Sequence, residues 1–340
     1  MIQGHGDDGY LFNQQVKADF SSNVWYGGLQ EGLKEHLKNK VTGIDHYPDA
    51  GGAKLQALLE SQAALPAGSI LVTNGGTEAI YLVAQAFTGA TTTVVAPTFS
   101  EYADACKLYR HQVQYLQWDK LTPDTVFSSD LVFICNPNNP TGQALDEAAL
   151  QKLITHNKYT VFIIDEAYIQ FTLNATTMLP HLQRLPNVLV LRSMTKTCCI
   201  PGLRLGYVAG RKQLLDRVRT FRMPWSVNSL ALEAGYYILE HPEQFTIATG
   251  SLLQETFHLW ESVRKMPEYK VYTSHTHYFL FETLTGTAAT LKAWLMEKYG
   301  LLIRDASNFY GLGPGHCRVA CRNAADNQLL TTALRQWTLY

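Results

Sequence analysis

The sequence predicts an α/β fold with an open, mostly parallel central sheet, helices on both faces, and a smaller α+β unit at the C-terminal end. Over residues 69–210, short apolar runs alternate with helical patterns, the arrangement of strands linked by crossover helices. Beyond residue 265 the order becomes strand, helix, strand, strand, helix, which suits a mixed unit. A length of 340 residues holds about two domains at roughly 150 residues each.

The expected division is an N-terminal arm over 1–28, a large domain over 29–240 and a small domain over 241–340. The arm is rich in Gly, Asp, Asn and Ser and reads by itself as a flexible tail. LQEGLKEHLKNK (29–40) has amphipathic helical spacing, HYPDAGGAK breaks it, and a second helix runs from about Lys54 to Ala64. Strands are expected at SILVT, TTTVVA, VQYLQW, DLVFICN, YTVFIID, NVLVLRS and LGYVAG, with helices at TEAIYLVAQAF, EYADACKLYR and DEAALQKLITHN. Residues 226–265 read as long helices interrupted near Pro242. Then come a strand (YKVYTSHTHYFLFE), a helix (ATLKAWLMEKYG), strands at LLIRD and HCRVAC, and a last helix (AADNQLLTTALRQW).

With 28 basic against 29 acidic residues, the chain shows no electrostatic footprint for nucleic acid or membrane headgroups. Small molecules are the expected ligands. No run of 18 apolar residues is present, and MIQGHGDDGY lacks the basic start and apolar stretch of a signal peptide. The expected setting is cytoplasmic. Six cysteines form no CxxC pair and the eleven histidines do not cluster at zinc spacing, so reduced core thiols and no metal are expected.

Chemistry concentrates at Arg192 to Tyr207, RSMTKTCCIPGLRLGY. A lysine after a strand is ordinarily solvated. Here Ser193 and Arg204 flank Lys196 with phosphate-type donors, and Gly202 and Gly206 let backbone pass close to a bound group. Together they suggest a Schiff base to a phosphorylated aldehyde cofactor. Ligands of open α/β sheets sit beyond the carboxyl ends of the strands, and polar residues stand at three more such ends. Asn74-Gly75-Gly76-Thr77-Glu78 opens a helix and offers amides to a phosphate, although a plain strand-to-helix turn has the same look. NPNNPTG holds Asn139 in a stiff turn. Asp165, a carboxylate ending a buried strand, calls for a cation such as a pyridinium, or else serves as a helix N-cap. Tyr168 follows three residues later.

The set GGTE, NPNNPTG, DEAY, SMTK and PGLRLG resembles the fold-type I, class I/II aminotransferase family of pyridoxal phosphate enzymes. Within it, HGDDG, DFSSN, YPDA, IPGLRLGY, MPWSVN and CRVACRNAADN resemble the branch that contains threonine-phosphate decarboxylases and histidinol-phosphate aminotransferases, with the decarboxylases nearer. HGDDG departs from them in carrying two acidic residues where glycine or neutral residues are usual. The resemblance implies that Lys196 forms the Schiff base with pyridoxal 5'-phosphate and shuttles protons, and that Asp165 pairs with its ring nitrogen. It implies Asn139 and Tyr168 on the phenolic oxygen, Gly76, Thr77, Ser193 and Arg204 on the phosphate, and Tyr102 stacked on the ring. Tyr47 would reach the phosphate bound by a second copy, making a homodimer. Arg318, or Arg322 close by, would grip the substrate carboxylate, while His5, Gly6, Asn23 and Arg304 complete the pocket and help hold the substrate phosphate. The implied reaction is decarboxylation of O-phospho-L-threonine in a cobalamin side-chain pathway, with transamination of histidinol phosphate as the alternative.

Overall fold

The computed structural model describes residues 6–337. Its elements run β1 (Ala18–Asp19), α1 (Glu31–Lys40), α2 (Ala53–Gln62), β2 (Ile70–Asn74), α3 (Gly75–Ala86), β3 (Thr91–Ala96), α4 (Glu101–Leu108) and β4 (Gln112–Gln117). Next come β5 (Leu131–Cys135), α5 (Glu147–His156), β6 (Val161–Asp165), β7 (Val188–Ser193), β8 (Leu205–Gly210), α6 (Lys212–Arg219), α7 (Ser229–Glu240) and α8 (Thr249–Arg264). The chain ends with β9 (Tyr269–Val271), β10 (Tyr278–Thr283), α9 (Ala288–Tyr299), β11 (Leu301–Leu302), β12 (Arg304–Asp305), β13 (His316–Ala320) and α10 (Ala324–Trp337).

Seven strands form one sheet in the order β2-β8-β7-β6-β5-β3-β4. All are parallel except β8, which runs against both β2 and β7. Side chains of successive strand residues leave opposite faces, and the two main cores follow that alternation. Phe162 and Ile164 enter one with Val132, Ile134 and Val190, whereas Ile163 enters the other with Phe133, Leu189 and Leu191. The reversal at β8 matters for function. It returns the chain through residues 194–204 at the carboxyl ends of the parallel strands, and sets Gly206 beside both Ser193 and Thr73.

A second sheet, β12-β13-β10-β9, is antiparallel. Phe279, Phe281 and Val319 form a separate core there with Leu259 of α8, Leu291 and Leu295 of α9, and Leu330 of α10.

The sequence expectations meet three corrections. The stretch 269–282 is two strands, because Ser274 Oγ donates to Tyr278 O and accepts from Thr276 N, a side-chain turn that competes with the ladder. The run 301–305 is divided between two partners. Leu301 and Leu302 pair in parallel with Ala18 and Asp19, while Arg304 faces Arg318 across an antiparallel ladder. That first pairing means that the arm is no tail: Phe20, Ser21 and Asn23 are buried. Among the described residues no helix is long and apolar enough to cross a membrane.

Candidate active site

A cavity of about 540 Å³ opens at the carboxyl ends of the parallel strands, where the arm, the 194–204 loop and the second sheet meet. Lys196 lines it. The loop is fastened to the arm by Trp25 N, which donates to Lys196 O at 3.0 Å, and by Cys199 Sγ, 3.1 Å from Trp25 O. Burial, reinforced by the positive charges of Arg318 and Arg204, lowers the Lys196 amine to about 8, against the opposing pull of Asp165 and Asp7. A lysine so lowered keeps a usable neutral fraction near pH 7 and can act as a nucleophile.

Asp165 ends β6. Its Oδ2 accepts from the Tyr102 hydroxyl at 2.6 Å and its Oδ1 from Ala167 N at 2.9 Å. Burial raises the carboxyl, and the two hydrogen bonds pull it back. It remains an acceptor that a cation would stabilise. Tyr102 is fully buried and stacked on Phe133 with centroids 5.2 Å apart. Its ring stands against the Asp165 carboxylate, outside the residues that line the cavity.

The phosphate-type donors converge at the start of α3. Arg204 has φ +61 and Gly75 has φ +73, and a Cβ added at Gly75 would lie 2.7 Å from Arg204 Nη2. The guanidinium therefore passes over the first turn of the helix, where backbone amides and the helix dipole favour an anion. Thr77 and Arg204 line the cavity, and a Cβ on Gly76 would be 3.9 Å from Ser193 Cβ. Ser193 Oγ itself is bonded to Thr195 Oγ1 at 2.7 Å.

On the opposite wall Arg318 donates from Nη1 to Asn139 Oδ1 and from Nη2 to Ser21 O. This fixes the amide orientation of Asn139 and leaves its nitrogen for a ligand. Tyr168 Oη accepts from Asn23 Nδ2 at 3.2 Å, and burial pushes the phenol up to about 12, so it stays a donor. An amine, an anion cup and two donors thus line one space, with the buried Asp165 carboxylate near enough for its charge to act on the amine. They fit a ligand that has an aldehyde, a phosphate, a basic ring nitrogen and an acidic oxygen.

The sequence matches the profile of the aminotransferase class I and II family over residues 19–336. The chain belongs to that family. It is 34% identical over 333 residues to the threonine-phosphate decarboxylase of Salmonella typhimurium, covering 93% of this chain and 90% of that protein. It is 30% identical over 345 residues to a histidinol-phosphate aminotransferase of Caldanaerobacter subterraneus subsp. tengcongensis, covering 95% and 94%. The crystal structure of L-threonine-O-3-phosphate decarboxylase from Porphyromonas gingivalis superposes with a TM-score of 0.92 at 36% identity, over 94% of this chain and 99% of that one. The fold is accordingly fold-type I, with its mixed central sheet and a separate antiparallel sheet.

In this aminotransferase-family chain the remaining candidates fall as follows. Arg304 and Arg318 are direct cross-strand partners that both line the cavity. Burial and the neighbouring Arg318 lower Arg304 to about 10, and its Nη2 donates to Asn308 Oδ1 at 2.8 Å. Arg322 is engaged elsewhere, with Asp326 and Asp19 O, and does not line the cavity as Arg318 does. Gly6 packs where a Cβ would come 2.4 Å from Ser21 O. His5 lies outside the described residues. Tyr47 is 84% exposed beside Trp225, with ring centroids 5.2 Å apart, and does not line this chain's cavity.

Four residues that the sequence reading gave no role at the site also shape it or its arm. Asp7 lines the cavity and its amide donates to Ser21 Oγ at 2.8 Å. Asp8 next to it is paired with Lys292 of α9 in a largely buried contact that holds the arm down. Phe309 and Asn308 form the far wall. The HGDDG sequence was a visible signal for Asp7, while the wall residues carried none. All six cysteines are free, and among the described residues no His, Cys, Asp and Glu cluster could hold a metal ion.

Proposed function

We propose that the chain binds pyridoxal 5'-phosphate and decarboxylates O-phospho-L-threonine, leaving (R)-1-aminopropan-2-yl phosphate and carbon dioxide. The observation that carries this reading is the pair Arg304 and Arg318, two guanidiniums facing one cavity with Lys196. Like charges set directly opposite in a sheet repel, so the pair calls for a ligand with more than one anionic group. O-phospho-L-threonine brings a phosphate and a carboxylate on one small molecule. Similarity to two threonine-phosphate decarboxylases supports the same substrate.

When bound, pyridoxal phosphate supplies an electron sink for the bond broken at the substrate α-carbon. Lys196 would hold it covalently and give way to the substrate amine. Asp165, held by the Tyr102 hydroxyl from outside the cavity lining, would keep the ring nitrogen protonated, and Asn139 and Tyr168 would donate to the phenolic oxygen. Gly76, Thr77, Ser193 and Arg204 would hold its phosphate, joined by Tyr47 from a second copy in a homodimer. Arg318 takes the substrate carboxylate, and Arg304 with His5, Gly6 and Asn23 takes its phosphate. With the substrate so held, its carboxyl group would leave as carbon dioxide and Lys196 would return a proton to the α-carbon.

The test is to add O-phospho-L-threonine to the holoenzyme with no oxo acid present and follow carbon dioxide. Sustained release is expected. No release, with histidinol phosphate converting the cofactor to its amine form, would make the chain an aminotransferase instead.

A further inference from the structure

Behind the cavity wall lies a buried histidine that the mechanism above does not use. His277 is 1% exposed, flat against Phe171 with centroids 3.9 Å apart, and edge-on to Tyr278 at 5.2 Å. Its Nε2 lies 3.1 Å from Asn23 O. A carbonyl only accepts, so Nε2 carries the hydrogen and Nδ1 is left as a bare lone pair. Nδ1 has no partner among the described residues. Burial, with Arg318 and Lys196 adding to it against the hydrogen bond to Asn23, holds the ring down to about 3. The imidazole is therefore a neutral, single-donor group with one task.

That task is visible in what it fastens. The segment of the arm over residues 21–25 is tied to the rest of the molecule at four backbone atoms: Ser21 O by Arg318, Asn23 O by His277, Trp25 N by Lys196 O and Trp25 O by Cys199 Sγ. Of these, the tie from His277 is the one that acts on the residue that meets Tyr168. Asn23 Nδ2 donates to Tyr168 Oη at 3.2 Å. A phenol that accepts there directs its own proton elsewhere, and Tyr168 lines the cavity.

We propose that His277 is a positioning residue for Tyr168, acting through Asn23. The contact chain His277 Nε2 to Asn23 O, then Asn23 Nδ2 to Tyr168 Oη, aims the phenolic proton at the anionic oxygen of the bound ligand. This rests on the reading that the ligand is pyridoxal phosphate. A hydrogen bond to that oxygen lowers its basicity, and with it the pH at which the lysine-linked cofactor loses the proton it shares with the oxygen. Loosening Tyr168 raises that pH.

The experiment is a pH titration of the visible absorbance of the holoenzyme, with cofactor affinity measured in parallel. It compares wild type, His277→Leu, His277→Gln, Tyr168→Phe and the double variant His277→Leu with Tyr168→Phe. Leucine removes the N–H while filling space, and glutamine restores a donor. Tyr168→Phe should shift the titration midpoint up by about one unit, the worth of one hydrogen bond. His277→Leu should move it most of that distance, His277→Gln should bring it back, and the double variant should match Tyr168→Phe alone. A His277→Leu midpoint equal to wild type, or a shift that persists in the Tyr168→Phe background, overturns the proposal. Should His277→Leu fail to fold, His277→Met gives the same donor-free comparison. If wild type forms no visible band with pyridoxal phosphate, the cofactor reading itself fails, an outcome separate from any ranking of the variants.

Discussion

Replacing Lys196 by methionine should stabilise the cofactor-free protein at neutral pH while abolishing its activity. Burial and the charges of Arg318 and Arg204 lower the amine from 10.5 to about 8. At 1.36 kcal/mol per unit, that difference destabilises the folded state by about 3 kcal/mol when both states are protonated. The direction follows from proton uptake. Between pH 8 and 10.5 the unfolded lysine keeps a proton that the folded one has lost, so stability rises through that window; below it the whole penalty stands. Methionine has a similar length and flexible stem without the charge. Lys196→Met should therefore gain up to about 3 kcal/mol at pH 7 and under about 1 kcal/mol at pH 10. Water in the cavity screens the amine, which makes the first figure a ceiling. Urea unfolding of both cofactor-free proteins at the two pH values measures the gain, and titrating groups remote from Lys196 cancel in the difference. A variant that is no more stable at pH 7, or one whose gain is the same at pH 10, refutes the argument.

Gly75→Ala should raise the dissociation constant for pyridoxal phosphate at least about tenfold, because the added Cβ meets Arg204 Nη2 at 2.7 Å and φ +73 is strained for alanine by about 1–2 kcal/mol; unchanged affinity would remove Arg204 from the anion cup. Asp7→Asn should lower KM for O-phospho-L-threonine about fivefold, since one like-charge contact costs about 1 kcal/mol in water-like surroundings. Burial, then Asp19, raises Asp7 above the ordinary carboxylate range, so the advantage should fade as the pH falls and Asp7 takes up its proton. A pH-independent KM difference would count against a charge effect. Tyr47→Phe and Lys196→Ala proteins, each weakened alone, should recover activity when mixed and reassociated, because one of the two sites in the mixed dimer then has both residues; no recovery means Tyr47 does not act across an interface.

The parallel strands were legible because each is a short apolar run with its own punctuation, and Lys196, Asp165 and Asn139 were legible because they follow those runs directly. Contacts that cross the chain were not. Tyr102 was placed near the site only by the family resemblance, and the bond from its hydroxyl to Asp165 spans 63 residues and depends on the register of the sheet. Asn23 and His277 are 254 residues apart, and nothing local to either announces the other. The break at 272–277 was hidden because its β-favouring residues are overruled by the Ser274 and Thr276 hydroxyls. Arg304 was named for the pocket by resemblance alone, and its register opposite Arg318 is a long-range pairing that nothing local to it announces.

The pairing of Ala18 with Leu301 also sets an order of assembly. A ribosome delivers roughly 5–20 residues per second, so the first strand of the chain waits some tens of seconds for its partner to be made. Meanwhile Asn74 to Arg204 has emerged as one contiguous block, carrying the lysine, the carboxylate and the anion cup. The wall that faces the substrate draws on both ends of the chain, from Gly6 to Arg318. The nascent protein thus holds its chemical anchor well before it has the means to choose what is brought to it.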